Sequence, residues 1–101
     1  MVVFEGFFDY LTSVMMNVQS SNASVIILNS MSMREKACEA IRHMQPKSVE
    51  LFRDHDEAGE DLLNYFRNSL PTIDVVDKSA LYAGFSDLNE WFAARTIRKH
   101  G

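Results

Sequence analysis

The sequence predicts an α/β fold: a three-layer, Rossmann-like arrangement of about four mainly parallel strands with helices on both faces. Three observations carry that prediction. Short runs rich in valine, isoleucine and phenylalanine alternate with segments whose apolar residues recur at three- and four-residue spacing. Capping residues and prolines fall between the two kinds of segment. Each pair of successive strands is separated by enough chain for one helical crossover, which parallel pairing requires. At 101 residues the chain is near the mode for one compact domain, so residues 1–101 are read as a single domain.

The first strand is expected over residues 1–4, with almost nothing before it, the pattern of a domain cut from a longer protein. Phe7, Phe8, Leu11, Val14, Met15 and Val18 then trace one greasy helical stripe. A second strand over 24–28 leads to a helix marked by Ala37, Ala40, Ile41 and Met44, opened by a capping box of Ser32 and Glu35. Pro46 ends that helix, and a third strand follows over 48–52. Leu62, Leu63, Phe66 and Leu70 mark the third helix, Pro71 ends it, and the fourth strand is expected over 72–76. A final helix opens at Ser86. The stripe that includes Phe7, Phe8, Met15 and Met44 is read as core packing.

Composition narrows the function. With 47% apolar and 24% charged residues, the chain is neither disordered nor collagen-like. Its longest apolar stretch, residues 23–28 interrupted by Ser24, falls far short of the roughly 20 residues of a membrane span. With no leader pattern either, the expected setting is the cytoplasm without membrane contact. A lone cysteine, Cys38, fits a reducing compartment and is read as a small packing residue. The net charge of −4 is concentrated in residues 50–61, where Glu50, Asp54, Asp56, Glu57, Glu60 and Asp61 face the single cation Arg53. Such a domain does not bind nucleic acid by bulk electrostatics; metal ions or a neighbouring domain must supply positive charge.

Ligands of open parallel sheets bind at the carboxyl ends of strands, where strand order reverses. Glu5 and Gly6 directly follow the first strand, and Asp54, His55 and Asp56 the third. If the second and third strands flank the first, these ends become neighbours. Asp54 and Asp56, two apart in extended chain, point to the same side and can share a hard divalent cation. Gly6 and Gly59 sit beside the acids at strand-to-helix turns, where a phosphate or backbone can come close. Asp9 projects from the same helical end as Glu5. Asp87 and Asn89 form a third patch.

Plainer readings compete. Asp87 and Glu90 suit the first turn of a helix capped by Ser86, and Glu57, Glu60 and Asp61 suit the solvated first turn of the third helix. His55 reads as a spacer pointing away from the aspartates, and His43 and His100 lack neighbours at ligand spacing. For Asp54 and Asp56 the plain reading is weakest, because a solvated loop has no need of such a pair directly off a buried strand.

These residues resemble the TOPRIM domains shared by DnaG-type primases, type IA and type II topoisomerases, OLD-like nucleases and related maturases, over essentially the whole chain. The likeness lies in Glu5 of "VVFEGFFDYL" and in Asp54 and Asp56 of "VELFRDHDEAGED". "DxDEAG", with Ala58 and Gly59, looks most like the primase branch, as do Asp9 in "EGFFD" and Asp87 with Asn89 in "SDLNEW". Similar domains occur in primase or mobilisation proteins of bacterial mobile elements. His55 replaces the usual small or amide spacer, and Asn89 stands where some members have aspartate.

The resemblance implies magnesium- or manganese-dependent phosphoryl transfer. In the primase branch that is attack of a ribonucleotide 3′-hydroxyl on the α-phosphate of an incoming nucleotide. It casts Glu5, Asp54 and Asp56 as catalytic residues, Glu5, Asp54, Asp56 and Asp87 as metal ligands, and Gly6, Asp9, Gly59 and Asn89 in support. Implied partners are a DNA template, nucleoside triphosphates, and a helicase or other replication protein. A TOPRIM nuclease or a non-catalytic scaffold would share most of these residues. A phosphoacceptor receiver or a phosphatase with a nucleophilic D-x-D would place the acidic pair after the first strand instead.

Overall fold

A computed structural model describes residues 1–16 and 24–100, with side chains described to residue 95. Four strands form one sheet: β1 (Val2–Phe4), β2 (Val25–Ile27), β3 (Ser48–Phe52) and β4 (Asp74–Asp77). Their order is β2-β1-β3-β4 and every pairing is parallel. Val2 pairs with Val25 on one side and Glu50 on the other, and Phe4 with Ile27 and Phe52. β1 is therefore interior, and Val2, Val3 and Phe4 are all buried, as expected for a strand covered on both faces.

Four helices cover the sheet: α1 (Phe7–Met16), α2 (Arg34–Met44), α3 (Glu57–Ser69) and α4 (Leu88–His100). On one face Ala37, Cys38 and Ile41 of α2 and Leu62, Leu63 and Phe66 of α3 pack on Val3, Val49 and Leu51. On the other, Tyr82 and Leu88 close on Val2, Phe4 and Phe52, with Tyr10, Met16 and Trp91 packed at the edge. Alternate residues of β1 and β3 feed opposite cores, because strand side chains alternate faces. The three layers follow from that alternation.

Four local expectations are corrected. Ser32 and Glu35 form no capping box: a 3₁₀ turn at Met31–Met33 precedes α2, the Ser32 hydroxyl bonds Ser30 at 2.9 Å, and α2 has no side-chain cap. β4 begins later than expected because Pro71 and Thr72 form a turn closed by Ile73 N–H donating to the Leu70 carbonyl at 3.1 Å. α4 opens at Leu88, capped by Asp87, whose Oδ1 accepts from Glu90 N–H at 2.8 Å.

The fourth correction concerns α1. Phe7, Phe8, Leu11, Val14 and Met15 are exposed, and Met44 of α2 is too, so this stripe is not core packing. The face turned inward carries Asp9, Thr12 and Ser13, all buried. Polar contacts with α4 fix that rotation: Asp9 Oδ1 accepts from Asn89 N–H at 3.1 Å, and Thr12 Oγ1 donates to Asn89 Oδ1 at 3.0 Å. Val18 lies outside the described residues. Among the described residues, no helix is long and apolar enough to cross a membrane.

Candidate metal centre

The strand order makes β1 and β3 neighbours whose following helices lie on opposite faces, which places the topological switch point at their carboxyl ends. Glu5 leaves β1 there and Asp54 follows β3. The Glu5 carboxylate oxygen Oε2 accepts a short hydrogen bond from Asp54 N–H, so Glu5 holds the chain segment that presents Asp54. On the other side, Asn29 N–H donates to the Glu5 carbonyl at 2.8 Å with Asn29 in a left-handed conformation, φ 62°.

The exit of β3 is braced from three directions. Arg53 Nε pairs with Asp77 Oδ2 at 3.1 Å, tying it to β4. The buried Tyr82 hydroxyl donates to the Arg53 carbonyl at 2.6 Å. His55 N–H donates to the Ser86 carbonyl at 2.7 Å, and His55 Nδ1 meets the Phe85 carbonyl at 2.5 Å. His55 is thus more than a spacer: it docks the loop carrying Asp87 onto the loop carrying Asp54. The only sequence sign was its place between the two aspartates.

Asp9, Asp54 and Asp87 come together, each offering one carboxylate oxygen within 4.8 Å of the others. Asp56 lies outside this trio, although its charge still acts on Glu5 and Asp54. It is exposed, and its Oδ1 caps α3 by accepting from Gly59 N–H at 2.6 Å. Asn89 lines the same cavity, but its Oδ1 accepts from Thr12 and its N–H serves Asp9. Asp9, expected only in support, therefore enters the ligand-capable group. Glu5 stands beside it as the residue that holds Asp54.

Gly59 is required where it stands, because a Cβ there would collide with the Asp54 carbonyl oxygen. At Gly6 a Cβ would meet Asp9 Oδ2 at an ordinary 3.9 Å, so no protein atom demands glycine there. Glu57, Glu60 and Asp61 are exposed in the first turns of α3, as the plain reading held, and His43 is exposed on α2.

The acids oppose their own ionisation. Burial, then the charges of Asp54, Asp56 and Asp9, push Glu5 up to about 7 despite its hydrogen bond from Asp54. Burial, then Asp87 and Asp54, push Asp9 up to about 6, and burial, then Asp56 and Asp87, do the same for Asp54. Among the described residues no basic side chain ion-pairs with the carboxylates of Asp9, Asp54 or Asp87; Arg53 reaches only the Asp54 carbonyl, at 3.1 Å. Three carboxylate oxygens within 4.8 Å of one another are fewer than the six ligands magnesium takes, so an ion held there would keep positions for water or phosphate. The donor set therefore fits a hard divalent cation, which would relieve the mutual repulsion.

These residues line a cavity of about 390 Å³, walled by Phe7 and Phe8 at the start of α1 and by the segment from Leu28 to Met31 after β2. A family model described as Toprim-like matches residues 2–92. Among solved structures, the primase fragment of the bacteriophage T7 primase-helicase protein aligns with a TM-score of 0.71 and 28% identity, covering 98% of this chain. The alignment covers 40% of that longer chain. No curated protein matches the sequence.

Proposed function

Because this chain belongs to the Toprim-like family, we propose that it is the metal-dependent nucleotidyl-transfer domain of a DNA primase-like protein, making RNA primers in replication or in mobilisation of a plasmid or transposon. The observation that carries this reading is the convergence of Asp9, Asp54 and Asp87 at the switch point of the sheet. In the proposal they present oxygens to magnesium or manganese, and Glu5 fixes Asp54 through its backbone N–H. The cation, when bound, neutralises phosphate charge and stabilises the attacking and leaving oxygens. Glu5, held above its usual value in the metal-free chain by burial and the neighbouring carboxylates, is proposed to hold a second ion or to act in proton transfer. Gly6 leaves the cavity floor open, and Asp56, Gly59 and Asn89 hold the surrounding backbone.

The proposed partners are a DNA template and nucleoside triphosphates, in the cytoplasm, with a helicase unit as neighbour. That last element is suggested by the description of the phage protein as a primase-helicase. With a net charge of −4 the chain does not hold a template by bulk electrostatics, so template gripping is assigned to other parts of the proposed parent protein.

The test is a manganese titration followed by paramagnetic broadening of backbone amides, on this chain and on an Asp54→Asn, Asp87→Asn double variant. Broadening confined to residues 5–9, 53–56 and 86–89, and lost in the variant, is expected. No localised broadening at millimolar manganese would remove the metal centre and with it the catalytic reading. Incubating the parent protein with template and nucleotides then separates primer synthesis from strand cleavage, the outcome a nuclease would give.

A further inference from the structure

The outward apolar face of α1 and the acidic cavity meet at Phe7 and Phe8. Both line the cavity that holds Asp9, Asp54 and Asp87, yet they are 48% and 70% exposed. Their rings lie 6.2 Å apart, inclined at 62°. Phe7 leans on Tyr10 at 6.3 Å, and Tyr10 packs edge-on against buried Phe4 at 5.8 Å, so the Phe7 ring is braced from the core. Among the described residues Phe8 has a ring contact with Phe7 alone, which leaves most of its surface open at the cavity rim.

A ligand that satisfies both parts of this cavity has a flat aromatic group for the phenyl rings and an anionic group that a cation can bridge to the carboxylates. A protein surface would match the rings but would have to approach three clustered carboxylates. A nucleotide carries both features in one small molecule, and a nucleobase stacks on an aromatic side chain whatever its identity. We infer that Phe8, braced by Phe7, stacks the base of a nucleotide whose phosphates are bridged to Asp9, Asp54 and Asp87 by the divalent cation. This inference rests on the metal-dependent reading above and adds the nucleotide-binding platform to it. The stripe continues away from the cavity through Leu11, Val14 and Met15, which gives the internal control.

The test compares binding of ATP and of tripolyphosphate, which lacks base and sugar, to this chain in magnesium, by calorimetry. The intact chain is expected to prefer ATP by about five- to a hundredfold. Phe8→Ala removes the preference and leaves tripolyphosphate binding unchanged, whereas Phe8→Trp keeps it; the exposure of Phe8 makes loss of folding no obstacle. Equal binding of the two ligands by the intact chain, or a preference that survives Phe8→Ala, overturns the stacking platform. Manganese bound at the acids with neither ligand retained also overturns it while leaving the metal centre standing. Absence of bound manganese overturns the earlier reading itself. If Phe8→Ala and a Val14→Ser, Met15→Ser variant both alter self-association in sedimentation while ATP preference is unchanged, the face is a protein contact and the inference fails.

Discussion

Asp9 and Asn89, eighty positions apart, are joined by a 3.1 Å hydrogen bond from the Asn89 backbone N–H to the Asp9 carboxylate. One buried side chain of α1 thereby satisfies an N–H in the first turn of α4, a donor with no partner inside its own helix. The same carboxylate belongs to the candidate metal group. Fold and site share one residue.

Replacing Asp9 separates those roles. Asp9→Asn keeps an acceptor oxygen, whereas Asp9→Ala strands the Asn89 donor, so the alanine variant is expected to be less stable than the asparagine variant by about 1–2 kcal/mol. Both weaken manganese binding. Urea denaturation of the two variants, with manganese titrations alongside, checks the separation.

The buried carboxyls give stability an unusual dependence on pH. Glu5, Asp9 and Asp54 are raised in the folded chain to about 7, 6 and 6. Below about pH 3 they are largely protonated in folded and unfolded chains alike. As pH rises toward 7 the unfolded chain releases its protons first, the folded chain holds more, and stability from these groups is lost. Asp77 acts oppositely: although burial opposes it, hydrogen bonds from Ser79 and Arg53 hold it below its usual value, so its contribution is lost in acid. With chelator present, Asp54→Asn is therefore expected to exceed the parent in stability at pH 8 by about 1 kcal/mol, allowing for solvent screening at a half-buried site, and to match it near pH 3. Added manganese reverses the order at pH 8. Denaturation curves at the two pH values decide it, and equal stability at pH 8 without metal would contradict the proposed crowding.

The two aspartates of the D-x-D sequence are expected to behave differently. Asp56→Asn preserves a good helix cap and leaves stability nearly unchanged, while Asp56→Ala costs about 1 kcal/mol. Asp54→Asn lowers manganese affinity more than Asp56→Asn does. Equal losses of affinity would place Asp56 in the metal group after all.

Gly59→Ala tests the close approach of α3 to the loop after β3. The added methyl meets the Asp54 carbonyl oxygen, backbone that flexible side chains cannot relieve. A destabilisation of about 1–3 kcal/mol is expected, together with weaker manganese binding because Asp54 is displaced. Thermal melts and the same metal titration read both effects. Gly6→Ala, whose Cβ would make only an ordinary contact with Asp9, is the matched control and leaves stability within about 0.5 kcal/mol.

Much of the architecture was legible because it follows from local pattern. β-branched runs, helical periodicity in α2 and α3, and crossovers of helical length allow few topologies, and the expected parallel sheet is the one found, down to identical bounds for β3. The switch-point rule then drew attention to Glu5 and Asp54, whose neighbouring placement depends only on β1 lying between β2 and β3.

What the sequence by itself determined was the layered parallel fold and the strand ends at which acids gather, since both rest on short-range periodicity and chain connectivity. Only the tertiary structure decided the rotation of α1, because its apolar stripe argued for burial on amphipathicity alone, while Asp9 and Thr12 found hydrogen-bond partners on α4 and turned Phe7 and Phe8 outward. It likewise decided that Asp56 caps α3, that Asp87 caps α4, and that Asp9 joins Asp54 and Asp87. Each choice turns on which donor a carboxylate meets in space, and several of those donors lie on elements distant in the chain.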